Sequence, residues 1–158
     1  MRALRRFIHK QEGYVEFFVI LYCLIAFAGL CAEYFRVIDL REEAENIIQR
    51  GINIAIERTL LETERRDFFI RIDPDATTES FYRYLHDSAN LDGSYRMVSS
   101  SGVEVWRLED LSFTHRDEFN YETQFTVKGK ICTSSILSIF TGSIEFPFTI
   151  SSKTVRLD

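Results

Sequence analysis

The chain is poor in the residues that interrupt or staple a fold. Its 158 residues include two prolines, three cysteines and a single tryptophan. The prolines are Pro74 and Pro147, so nothing before Pro74 forbids one unbroken helix. Cys23 and Cys31 sit in an apolar run and Cys132 stands alone, which excludes an obligatory disulfide beyond that run. The three histidines, His9, His86 and His115, are dispersed. No H-x-x-x-H, C-x-x-C, G-x-S-x-G or phosphate-loop pattern occurs. Asp73-Pro74-Asp75 lacks the further acids and glycine of a calcium loop and is read as a turn. Glu109-Asp110 and Asp117-Glu118 are read as solvated loop ends. These absences lead us to expect a protein that is not an enzyme and that uses no cofactor or metal. A net charge of −5 argues against a general grip on nucleic acid.

What the chain does have is one apolar run, residues 17–32, with neither charge nor proline. Tyr14 and Val15 extend it to the ~18–20 residues that cross a hydrocarbon core of about 30 Å. A basic head precedes it, with Arg2, Arg5, Arg6 and Lys10 against one acid, Glu12. Glu33, Asp39, Glu42, Glu43 and Glu45 crowd the far side. This asymmetry predicts a single-pass protein in the lipid bilayer, N-terminus cytoplasmic and C-terminal domain extracytoplasmic. The run is longer than a secretory h-region and no A-x-A site follows it. Leu30 beside Cys31 disfavours lipid attachment there. Glu16 is the unusual residue, because an acid within a membrane helix needs a partner or a hydrated interface.

Beyond the run, Val37, Leu40, Ala44, Ile47, Gly51, Ile54 and Leu61 recur at helical spacing, and Ile48, Ile52 and Ala55 widen that stripe. A helix reaching to about Arg65 is expected, with Gly51 as its weak point: a bend or a close approach. The remainder reads as a β-rich head. Phe68-Phe69-Ile70-Arg71-Ile72 is expected as a strand, and Thr77 or Thr78 as the cap of a short helix burying Phe81, Tyr84 and Leu85. Tyr95-Arg96-Met97-Val98 and residues 103–108 form a hairpin pattern, with Trp106 expected in the core. Phe119, Tyr121, Thr123, Phe125 and Val127 alternate with polar residues, as do Ile144, Phe146, Phe148 and Ile150. Pro147 suggests an edge for that last strand. Residues 131–140 read as a further strand or as an apolar surface for another subunit.

The fold class expected is α+β and pilin-like: a long N-terminal membrane-spanning helix continues into an amphipathic helix packed on a small antiparallel β domain. Its parts are a cytoplasmic basic leader (1–13), a transmembrane helix (14–36), an exofacial amphipathic helix (37–66) and an exofacial β-rich head (67–158).

Gly13 followed by Val15-Glu16-Phe17 and the apolar run, then Glu33-Tyr34-Phe35-Arg36, resembles the TadE-like pseudopilins of tight-adherence (Flp, type IVc) pilus systems. The match covers roughly the first quarter of the chain. The resemblance implies a minor pilin or pseudopilin, made as a precursor and cut by a prepilin peptidase between Gly13 and Tyr14. It implies that Glu16 pairs with the N-terminal amine of an adjacent subunit, and that Glu33 and Arg36 mark the membrane exit. Its partners would be that peptidase, other pilin-like subunits and the pilus assembly platform, and the resemblance implies incorporation into a surface pilus. A cut there removes a leader of net charge +3, taking the chain from −5 to −8. The alternative is an uncleaved single-pass anchor whose exofacial β domain scaffolds an envelope protein complex.

Overall fold

The computed structural model describes residues 2–60, 72–118, 122–135 and 143–155, with side chains from Tyr14 onward except at 117, 118 and 155. Its elements are α1 (Arg2–Thr59), α2 (Pro74–Asp87), β1 (Arg96–Val98), β2 (Glu104–Glu118), β3 (Glu122–Thr133) and β4 (Ile144–Val155). They fall into two compact units, Met1–Ile38 and Asp39–Asp158. The class is α+β, with a long apolar N-terminal helix and a four-stranded antiparallel sheet.

The first unit consists of α1 alone, its backbone bonds satisfied within the helix. Every side chain from Tyr14 to Leu30 is exposed. The second unit begins on the same helix. Here Ala44, Ile48, Ile52 and Ala55 are fully buried, while Leu40, Ile47 and Ile54 are only partly so. The residues that seemed to widen the apolar stripe are therefore its centre. The cause is that α2 and the sheet both cover this side of α1, so the buried arc is broad and rotated toward Ile48. Each buried isoleucine contributes about 1.5–3 kcal/mol.

Gly51 is a close approach and not a bend. A Cβ there would stand 2.8 Å from Tyr84 Cδ1 and 3.0 Å from Phe81 Cε2. α1 closes at Thr59, short of Arg65. Thr59 Oγ1 donates back to Ala55 O at 2.8 Å and meets Thr77 Oγ1 at 2.7 Å. Leu60 then leaves the helix to form a β-bridge with Ile72. The expected strand at Phe68-Phe69-Ile70-Arg71 and the stripe position Leu61 lie outside the described residues.

Asp73 corrects the reading of its neighbourhood. It is the N-cap of α2: its Oδ1 accepts from Asp75 N (3.0 Å) and Ala76 N (3.2 Å), with Pro74 in the first turn. Proline there needs no amide bond, and an aspartate before it satisfies two otherwise orphaned N–H groups. Thr77, expected as a cap, is buried and donates to Asp73 O at 2.7 Å. Phe81, Tyr84 and Leu85 are buried as anticipated.

The sheet order is β1-β2-β3-β4, with every neighbouring pair antiparallel. β4 is at an edge, where Pro147 is tolerated. Of the two acidic pairs expected at loop ends, Asp117-Glu118 forms the last two positions of β2, while Glu109-Asp110 instead lies inside this 15-residue strand. It accommodates Asp110 through a bulge between Glu109 and Ser112, where Asp110 takes φ +55°. Gly129 lies opposite, and a Cβ on it would come within 2.9 Å of the Glu109 carbonyl oxygen.

One face of the sheet presents Trp106, Leu108, Phe125, Val127, Ile131 and Phe148 to the helices, and these form the core with Phe81 and Leu85. Phe113 knits the layers, 5.6 Å from Phe81, 5.4 Å from Tyr82 and 5.8 Å from Phe125 between ring centroids. Phe119, Tyr121 and residues 136–140 lie outside the described residues, and 131–133 complete β3.

Candidate functional site

The feature most in need of explanation is the apolar surface of α1. Phe17, Phe18, Ile20, Leu24, Ile25 and Phe27 are each more than half exposed. An 18-residue window there has a mean hydropathy of 2.4 and no buried residue, so this helix is long and apolar enough to cross a membrane. Monomeric soluble proteins rarely expose contiguous apolar patches beyond a few hundred Å².

Charges bracket that surface. Glu16 stands exposed on the helix one position before Phe17. At the other end Arg36 grips Glu33 with two parallel bonds, Nε to Oε2 at 2.8 Å and Nη2 to Oε1 at 2.7 Å. Glu33 is buried, and the bidentate pair neutralises it within one turn of helix. The structure thus brings Glu33 and Arg36 together. Gly13 and Tyr14 lie in the body of α1, with Tyr14 exposed, and Glu16 is near neither Glu33 nor Arg36 on the same helix.

A second set of functional groups was missed by reading the sequence, because it exists only in the strand register. Arg96 faces Arg107 across β1 and β2, and Arg107 faces Cys132 on β3, which faces Glu145 on β4. This row lies on the sheet face away from the helices. Two opposed arginines are tolerated because carboxylates interleave them. Arg96 holds Asp92 at 2.7 Å, while Arg107 reaches Glu104 at 3.2 Å and Glu109 at 2.6 Å. Lys130 sits between Asp110 (3.1 Å) and Glu145 (3.3 Å).

The titrations follow the geometry. Arg96, with amides of Arg96 and Ser94, pulls the Asp92 carboxyl down to about 2. Arg107 lowers Glu109, and Asp110 with Glu145 raises Lys130. Burial, then the adjacent Glu109, pushes the Cys132 thiol up to about 11, so it is an inert thiol and no nucleophile. Among the described residues no three His, Cys, Asp or Glu side chains gather as a metal site would require.

A groove of about 900 Å³ runs along the outward side of α1 in the second unit, lined by Asp39, Glu42, Glu43, Asn46, Arg50, Asn53 and Glu57 among others. Ile47, Ile54 and Tyr84 line it along with the acids and amides, and it holds no nucleophile–base pair.

Compared with family models, curated proteins and solved structures, the chain matches none.

Proposed function

We propose that the protein is a membrane-anchored structural subunit or assembly factor of a Tad/type IV-like pilus, a minor pilin or pseudopilin. The observation that carries this reading is the division of one helix. The stretch 14–30 exposes only apolar side chains apart from Glu16, while 44–56 is the spine of an antiparallel β domain. A helix of that kind serves both as a bilayer anchor and as a surface for lateral packing among copies. The basic head places the N-terminus in the cytoplasm and the β domain outside. In this reading Gly13 and Tyr14 flank the scissile bond of a prepilin peptidase. Glu16 pairs with the freed amine of a neighbour, and the Glu33–Arg36 pair sits at the membrane exit. The remaining partners are other pilin-like subunits and the assembly platform.

The test is co-expression with an active prepilin peptidase, reading intact mass and the new N-terminus. A cut after Gly13 that Gly13→Leu abolishes is the expected result. Full-length chain persisting beside an active peptidase overturns the reading in favour of an uncleaved anchor scaffolding an envelope complex.

A further inference from the structure

The outer face of the sheet is not uniform. At the end bearing Arg107, Cys132 and Glu145 the charges neutralise one another. Past the β2 bulge the register sets Ser112, Lys128 and Thr149 in one row, Thr114, Thr126 and Ser151 in the next, and Arg116, Gln124 and Lys153 in the third. This block of nine side chains sets Lys128, Arg116 and Lys153 among six neutral hydroxyl or amide groups, and the next row in register carries two acids, Glu118 and Glu122. Lys153 engages Glu122 at its border. Lys128, Thr149 and Ser151 are exposed. Ser112 and Thr114 are exposed with them, and among the described residues no element covers this face.

The opposite side of the same unit is acidic. The outward stripe of α1, half a helical turn from the buried Ile48, carries Asp39, Glu42, Glu43 and Glu57 against Arg50, with Asn46 and Asn53 between them. Arg41 belongs elsewhere, paired with Glu45 at 2.7 Å and lying over Phe146. One copy therefore presents an acidic, amide-rich helix on one side and a hydroxyl-rich sheet face centred on the exposed Lys128 on the other.

The geometry points to a second copy of this chain as the occupant: the Lys128 face of one copy docks on the Glu42–Glu43 face of α1 in the next. The contact is heterologous, because two different surfaces meet. Repeated, it builds an open row in place of a closed dimer. Faces on opposite sides of a two-layer unit can meet by near-translation. Successive copies then keep the Asp39–Thr59 stretch of α1 in one orientation, as subunits anchored in one membrane require. The inference rests on the proposed assembly function and names the surfaces that would carry it. Complementary charge sets register and partner choice here, with the hydroxyls and amides supplying short-range bonds.

The test uses full-length chain in detergent micelles, with donor- and acceptor-labelled populations and energy transfer as the measure of association. Lys128→Glu and Glu43→Lys, made separately, are each expected to raise the association midpoint by about tenfold. Mixing the two variants is expected to restore association to within about threefold of the parent, because the reversed charges meet. Association of the parent is expected to weaken as salt rises from about 0.05 to 0.5 M. Unchanged Trp106 emission establishes that each variant folds. Thr149→Glu, on the same block, replaces Lys128→Glu if that emission shifts. Single variants that associate like the parent overturn the interface, as does a mixture that fails to recover. Peptidase cleavage after Gly13 is read on the same preparations. Cleavage with an indifferent charge swap defeats the interface alone. A working swap in chain the peptidase leaves intact defeats the pilin reading alone.

Discussion

The two stretches of α1 use similar residues to opposite ends. Ile25 and Ile52 lie on the same helix, yet Ile25 is 60% exposed and Ile52 not at all. Gly29 has nothing within 4 Å of where a Cβ would be, whereas Gly51 is held against two aromatic rings. Hydrophobicity alone does not distinguish the stretches; what surrounds them does. Around Ile52 the apolar positions are confined to one arc, with Asn53 and Glu57 outward, so a protein layer can cover them. Around Ile25 they occupy the whole circumference, and only an apolar solvent or other helices can cover a cylinder of that kind.

That contrast can be broken most severely by truncating its buried member. Ile52→Ala is expected to lower the unfolding free energy of the β domain by about 2–5 kcal/mol, by denaturant titration followed at Trp106. Ile25→Ala is expected to leave that midpoint unmoved. The paired glycines sharpen the same point. Gly51→Ala forces a methyl against Tyr84 and Phe81 and is expected to cost about 1–3 kcal/mol, outweighing its gain in helix propensity. Gly29→Ala meets nothing and is expected to leave the domain's stability unchanged. Next in size is the cap of α2: Asp73→Ala is expected to cost about 1 kcal/mol in the same titration.

The smallest effects concern the outer face of the sheet. Asp92 titrates near 2 in the folded chain, below its ordinary 3.8. Its contribution is therefore complete above about pH 4 and is lost as pH falls through 2. Asp92→Asn should lower stability at neutral pH and so flatten the acid limb of the stability profile across that window, bringing variant and parent together below about pH 2. For Cys132 the sign is reversed. With the thiol raised from 9.0 to about 11, its contribution is complete below pH 9 and is lost as pH rises through 11. In a chain carrying Cys23→Ala and Cys31→Ala, alkylation of Cys132 at pH 8 should run roughly a hundredfold slower folded than in denaturant.

Much of this architecture was legible in the residues. The apolar run, the helix beyond it, the hairpin around Trp106 and the alternation in β3 and β4 all depend on periodicity, which is local. Pro147 gave away an edge for the same reason. The failures are equally physical. Thr77 was a reasonable cap by type, but Asp73 before Pro74 holds two amides at once and starts the helix earlier. Glu109-Asp110 looked like a loop end, as Asp117-Glu118 at the close of β2 did, because acids are rare within strands. β2 keeps Glu109-Asp110 in its interior through a bulge and through Arg107 and Lys130, contacts that depend on register. Of the candidate site, Glu33 and Arg36 could be paired from their spacing of three on a helix. The row from Arg96 to Glu145 could not, since no local pattern reveals which strands are neighbours.

The Glu33–Arg36 clasp has a mechanical consequence under the proposed anchoring. Between Glu16 and Glu33 the uncharged stretch measures about 24 Å along the helix axis, slightly less than a typical hydrocarbon thickness of about 30 Å. Sliding the helix outward drags Glu16 toward the bilayer centre, and sliding it inward drags in the clasped pair. A carboxylate carried to the midplane costs about 2.5–3.5 kcal/mol on insertion scales. The two ends thus act as opposed stops. They hold the rod at one depth, like a bolt in its detent, and leave it free to spin about its own axis until a neighbour engages it.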